Sequence, residues 1–441
     1  MTIRRRFVQG VRTPPVSRSP IIGLGVRVYA DVNRRQLLVR TGLGLAAAGV
    51  GGLEEIAAAP RVDVASGWDD VRSQFRVSRS LIHMGGLYLA SHPGAVRRAI
   101  DRHRRGLDAD PVGYLHRNGD RLEVNVLRAA GSYLGARPVD VALTDSTTMG
   151  LGLLYGGLSL RPGDEIVTST HDFYATHEAL RLAAERGGAT VRRAALYRDP
   201  ARATEEEIVG NLARAIGPNT RVVALTWVHS STGVMLPVRR MIQGLGRRVS
   251  LLVCLDGVHG LGVENETVES LGVDFLVAGC HKWLFGPRGT GLVWGRASAW
   301  PAVRPTIPAF SGGSPARDFT PGGFHSFEHR WALAEAFRLH GRIGKARVAA
   351  RIHSLNRRLK DGLASMSHVT LLTPRSEALS AGIVVFSVDR LSPNAVVSAL
   401  ARRRIVATVT PYTPSHPRLA PGLLNTPGEV DRVLTAIRAL R

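Results

Sequence analysis

The 441 residues predict an α/β protein: a mainly parallel seven-stranded sheet with helices on both faces, plus a smaller α+β lobe at the C-terminus. Three observations carry that expectation. From about residue 139, short β-rich runs alternate with amphipathic segments, the pattern of parallel strands joined by helical crossovers. The polar residues of chemical interest fall just beyond the C-terminal ends of those runs, where such sheets bind ligands. From Gly322 onward the alternation gives way to long helical patterns followed by two further strands.

The chain opens with residues 1–59, which read as an export signal or a disordered terminus. Arg34 and Arg35, in NRRQLLVR, precede the weakly apolar TGLGLAAAGVGG and the small-residue run Ala57-Ala58-Ala59. That order resembles a twin-arginine signal, an address rather than an anchor, and implies a periplasmic or otherwise exported protein. The apolar run is too short and too glycine-rich to span a bilayer stably. Residues 60–110 lack the alternation and are assigned to a segment that packs with the small lobe.

Residues 111–321 form the large domain. VDVALT is its first strand, DSTT a turn, and MGLGLLYGGL a helix of small residues. DEIVTST is the next strand, with a helix from Tyr174 to Arg186. TVRRAAL follows, then a helix opened by Thr204 with Glu207 three residues on, a capping box. TRVVALTWV, VSLLVCLDG and VDFLVAGC are further strands, PVRRMIQGLGRR is the helix between the first two, and GTGLVWGR is the seventh strand. Residues 322–441 make the small domain, with AGIVVFSV and IVATVTP as strands.

The formal net charge is +23, and of the 58 basic residues only Lys282, Lys345 and Lys360 are lysines, leaving 55 arginines. Basic and aromatic residues do not interleave, and there is no zinc-finger spacing or RNA-binding signature, so the charge is read as solvated arginine rather than a nucleic-acid surface. The two cysteines, Cys254 and Cys280, lie in apolar strand-like runs and form neither a disulfide scaffold nor a paired metal motif.

In a chain that writes arginine wherever a positive charge suffices, Lys282 invites a chemical reason. An amine can lose its proton and attack a carbonyl, and a guanidinium cannot. Asp256 ends the strand before it and His259 follows by three. Such a carboxylate and amine at neighbouring strand ends could form a structural ion pair or the two ends of a pyridoxal phosphate site. Ser146, Thr147 and Thr148, between a strand and a helix, offer hydroxyls and backbone N–H groups to an anion.

DGVHGLG followed by VDFLVAGCHKWLFGPRGTGLVW resembles the lysine segment of class-V pyridoxal-phosphate aminotransferases, in particular the isopenicillin N epimerase-like branch. The resemblance, over roughly residues 80–441, implies the fold-type-I architecture, pyridoxal 5′-phosphate as cofactor, and a homodimer with sites at the subunit interface. It implies Lys282 as the Schiff-base lysine, Asp256 as partner of the pyridine nitrogen, and His259 as a partner of the ring hydroxyl or of the Schiff-base region. Ser146, Thr147 and Thr148, with His281, would hold the phosphate; His171 would stack on the ring, with Tyr174 as fallback; Ser230 would contact the ring hydroxyl. SHPRLAPGLLNTPGEVDRVL aligns with the family's carboxylate-binding segment and makes Arg418 the residue for the substrate α-carboxylate, a bidentate task suited to guanidinium.

Two departures stand out. The family's cross-subunit phosphate threonine is missing from Gly323-Phe324-His325-Ser326, which leaves His325 and Ser326 as replacements, and Gly279 stands where relatives carry a hydroxyl or amide. The implied activity is an aminotransferase acting on a small amino or keto substrate. Epimerase, racemase or lyase chemistry is the alternative on the same fold, and an exported non-catalytic binding protein is the alternative of another class. A cysteine desulfurase is disfavoured, because neither cysteine sits on a mobile loop.

Overall fold

Seven β-rich runs of the large domain pair into one sheet, in the order β2 (Val141–Thr144), β8 (Gly291–Gly295), β7 (Phe275–Gly279), β6 (Leu252–Asp256), β5 (Thr220–Thr226), β3 (Glu165–Ser169) and β4 (Thr190–Ala194). The structure is a computed structural model and describes residues 67–246, 251–310 and 312–440; the arginine pair and the alanine run of the signal-like segment lie outside them. Strands β3 to β7 run parallel, and β8 inserts antiparallel between β2 and β7.

The apolar runs have a packing cause. Successive residues point to opposite faces, and both faces are covered: Val253 and Leu255 join one hydrophobic core while Cys254 joins the other. Both cysteines are fully buried, and burial pushes each thiol far above its ordinary range.

The helix opened by Thr204 departs from its expected cap. Thr204 accepts from the Glu207 N–H at 3.1 Å, but the Glu207 carboxylate accepts from the Arg198 N–H at 3.0 Å instead of returning to Thr204. Complete capping boxes form at Thr267 with Ser270 and at Thr426 with Glu429.

The smaller lobe holds a four-stranded antiparallel sheet ordered β12-β13-β10-β9, from Thr408–Val409, Pro417–Leu419, Val384–Val388 and Val369–Leu371. A short strand from the N-terminal segment, β1 (Ile82–His83), pairs in parallel with β11 (Ile405–Val406), and Ile82 and Met84 enter that lobe's core. Leu333, Phe337, Ile343 and Ile352 join the large core, as do Ile383 and Val385, while Leu355, Leu359 and Leu363 join the second.

Two of the three lysines, Lys345 and Lys360, have a common setting. Lys345 Nζ donates to the carbonyls of Tyr133 (3.2 Å) and Glu266 and lies over the Tyr133 ring. Lys360 is buried and donates to the carbonyls of Pro374 and Arg375 and to the Ser380 hydroxyl. A compact ammonium fits such cages, and a planar guanidinium does not. Among the described residues no helix is long and apolar enough to cross a membrane.

Candidate active site

Three chain segments meet beyond the C-terminal ends of the parallel strands. The first is the turn into the Thr147–Gly156 helix, where Ser146 accepts from the Met149 N–H at 3.1 Å and leaves free backbone N–H groups at the helix start. The second is the ends of β5, β6 and β7. The third is β13 with the loop before it. Together they line a cavity of about 450 Å³.

Nine of the ten site residues expected from sequence line that one cavity: Ser146, Thr147, Thr148, Ser230, Asp256, His259, His281, Lys282 and Arg418. His171 does not. Its ring stacks on Tyr197, with centroids 4.4 Å apart and planes at 11°, because the turn after β3 aims it at that neighbouring ring. Phe173 and Tyr174 line the cavity instead, so the fallback aromatic reaches it and the histidine does not.

Asp256 is buried beside Thr226, its register partner on β5. Burial raises its carboxyl to about 6, against the Val258 N–H and the Lys282 charge, which lower it. Lys282 moves the other way: loss of hydration drops its amine to about 8, with Asp256 opposing and Arg418 assisting. Carboxylate and amine thus answer one another across the cavity floor, and no hydrogen bond to a described residue holds the Lys282 Nζ.

His259 is tuned by a partner that sequence reasoning missed. The Trp283 indole N–H donates to His259 Nδ1 at 3.1 Å. An indole only donates, so Nδ1 is the acceptor and a neutral ring carries its proton on Nε2. Burial first, then Lys282 and Arg418, hold this histidine well below its ordinary range and keep it neutral. His281 Nδ1 lies 3.4 Å from the Thr290 carbonyl, and burial and Lys282 lower its pKa.

Gly279 has a steric reason. The Thr147 hydroxyl accepts from the Gly279 N–H at 2.8 Å, and a Cβ there would stand 2.9 Å from Thr147 Oγ1 and 3.0 Å from His281 Cε1. Thr147 therefore fills the space that a side chain at 279 would need. His325 and Ser326 do not line the cavity; the His325 ring packs on Phe327, and its Nε2 is buried without a partner.

Arg418 is buried in β13 rather than solvated. Its Nε donates to Thr408 Oγ1 at 2.9 Å and its Nη1 to the Ser230 carbonyl at 3.1 Å. Asp172 braces the strand ends from below, accepting from the Thr168 hydroxyl and Ser169 N–H (both 2.6 Å) and the Thr226 N–H (2.7 Å). Burial would raise that carboxyl, but His229 and these donors outweigh it and hold it at about 2.

The fit of a pyridoxal phosphate group is testable on these residues. A free-standing amine faces a buried carboxylate, a helix start offers N–H groups to an anion, and the buried Thr226 hydroxyl has no hydrogen-bond partner. That donor set fits an aldehyde, a phosphate and a ring nitrogen.

Comparison with known proteins agrees. Residues 128–411 match the aminotransferase class-V family. Isopenicillin N epimerase of Streptomyces clavuligerus is 26% identical over 399 residues, covering 85% of this chain and 98% of that one. A probable cysteine desulfurase of Vibrio cholerae is 24% identical over 414 residues, 84% and 97% of the two chains. Among solved structures, a C-DES variant with glycine covalently linked to its PLP cofactor superposes with a TM-score of 0.74 at 23% identity, covering 83% of this chain and 99% of that one. The cysteine desulfurase CsdA of Escherichia coli also gives 0.74, at 20% identity and 85% and 98% coverage. Sequence match and fold converge: the chain belongs to the class-V aminotransferase family of pyridoxal-phosphate-dependent enzymes, with the fold-type-I architecture.

Proposed function

We propose that this protein is an aminotransferase that moves the amino group of an α-amino acid to a keto acid. The observation that carries the reading is the Lys282 amine, lowered to about 8 and set opposite Asp256 in one cavity with Arg418. Bound pyridoxal phosphate would supply the electron sink that makes the substrate α-hydrogen acidic. Lys282 would hold the cofactor in the resting enzyme and, once freed, carry the proton. Asp256 would keep the ring nitrogen protonated, and the His259 Nε2–H would donate to the ring oxygen. Ser146, Thr147 and Thr148 at the helix start would hold the phosphate, and Arg418 the substrate carboxylate.

Two of the relatives' activities are weighed against this. Desulfuration needs an accessible thiolate, and both thiols are fully buried. Epimerisation is the second reading, favoured by the isopenicillin N epimerases among the relatives. Inversion by two bases needs a second proton carrier opposite Lys282, a part that the lining phenols of Tyr88 and Tyr174 would have to take. One amine on one face is enough for transamination. Incubation of the holoenzyme with α-deuterated amino acids and keto acids separates the two. Net amino transfer is the expected outcome; deuterium washout with inversion and no transfer would identify an epimerase.

The chain is proposed to act as a homodimer. Phe324 (84% exposed) and Phe310 (76%) form an edge-to-face pair beside His325. Exposed aromatics clustered in this way mark a protein interface. Sedimentation should give twice the chain mass, and Phe324→Asp should shift it toward the monomer; a monomeric wild-type protein would refute the pairing.

A further inference from the structure

The cavity has few charges, and the proposed chemistry uses all of them. Besides its two histidines, the described residues of its lining include Asp256, Lys282 and Arg418, with no other ionisable acid or base among them except tyrosines. Cofactor binding takes the first two. Arg418 has Nε and Nη1 already committed to Thr408 and Ser230, which leaves its Nη2 side for a single carboxylate. Among the described lining residues no cation remains for a second one.

The wall that a substrate side chain would meet is apolar and aromatic: Leu87, Tyr88, Phe173, Tyr174, Val409 and Pro411. It is also held in place. The Phe173 ring lies 4.2 Å from Tyr174 and 6.2 Å, edge-on, from Tyr412. Tyr412 in turn is anchored by a 2.8 Å hydrogen bond between its hydroxyl and Ser230 Oγ. Its loop is closed on itself, the Thr410 N–H donating to the His416 carbonyl (2.8 Å) and the His416 N–H to Thr410 Oγ1 (2.9 Å). The small lobe thus presents a braced tyrosine to the aromatic wall of the large lobe.

We propose that the site takes α-amino acids with a neutral apolar or aromatic side chain and rejects those with a second carboxylate, with Tyr412 as a positioning residue for the aromatic wall. The inference rests on the amino-acid reading of the site above. A side-chain carboxylate there would lose its hydration without a partner, whereas a ring gains edge-to-face contacts.

The test is a single-turnover panel on the purified holoenzyme, following cofactor absorbance with L-phenylalanine, L-tyrosine, L-leucine, L-alanine, L-aspartate and L-glutamate. Phenylalanine, tyrosine and leucine are expected to react with kcat/KM about 100-fold or more above aspartate and glutamate. Val409→Arg, which adds a cation to the wall, should narrow that ratio by about tenfold or more through faster reaction with the acidic substrates. Tyr412→Phe should raise KM for phenylalanine with a smaller change in kcat. Aspartate or glutamate reacting as well as phenylalanine in the wild-type enzyme would overturn the proposal, as would a cation supplied there by a second copy. Reaction with simple amines but with no α-amino acid would instead overturn the amino-acid reading itself.

Discussion

Lys282→Ala is expected to give a folded, colourless protein with activity reduced by about 10⁴-fold or more, because one residue holds the cofactor and moves the proton. Folding should survive. The Lys282 amine sits at about 8, below its ordinary 10.5, so between those values the unfolded chain binds a proton that the folded chain does not. Its contribution to stability therefore grows as pH rises through that window, and at pH 7 the recessed charge is a cost that alanine removes. The same shift sets the pH dependence of cofactor loading onto the apoprotein. The rate should climb about tenfold per unit below pH 8 and level off above it. A rate still climbing at pH 10 would place the amine in its ordinary range and contradict the recessed site.

Asp256→Asn separates function from stability. The buried carboxyl sits at about 6 instead of 3.8, so the folded chain holds a proton between those values that the unfolded chain has lost. That stabilising contribution is complete below pH 3.8 and is lost as pH rises through 6. At pH 7 the apoprotein thus carries a costly buried anion. The amide keeps an oxygen for the Val258 N–H and should raise apoprotein stability by about 2 kcal/mol at pH 7, part of the gain being offset because Lys282 loses its counter-charge. The advantage should vanish toward pH 4. Turnover should fall by about 10²-fold or more, since an amide cannot hold the ring nitrogen protonated. Thermal denaturation of the apoproteins across pH 4–8 checks the first half, and steady-state rates the second.

Much of the architecture was legible because it follows from local pattern. Short, nearly continuous apolar runs bounded by turn residues suit strands buried on both faces, and the two cores on either side of Val253, Cys254 and Leu255 bear that out. Lys282 stood out because arginine dominates the chain, yet Lys345 and Lys360 are equally rare and are held by carbonyl and hydroxyl oxygens. Rarity pointed to a geometric need for a compact amine, and the neighbouring Asp256 distinguished the chemical amine from the structural ones.

The remainder depends on distances that a linear pattern does not contain. His171 follows a strand end as a ring-stacking residue would, but the turn aims it at Tyr197. Trp283 is adjacent to Lys282 in sequence, yet its partnership with His259 appears only when two loops fold together. Thr226 ends β5 as Asp256 ends β6, a positional signal that was available and went unread. Gly279 looked like a lost side chain and proves to be the point where Thr147 comes close. Tyr412 reaches Ser230 from 182 residues away, a contact that no spacing rule supplies.

Of the three lysine amines, that of Lys282 is the one proposed to carry the cofactor. Borohydride reduction of the purified holoenzyme, followed by proteolysis and mass spectrometry of the three lysine-containing regions, tests it directly. A pyridoxyl-phosphate adduct is expected on Lys282 alone, with Lys345 and Lys360 unmodified. An adduct on either of those two, or no adduct from a cofactor-saturated protein, would contradict it.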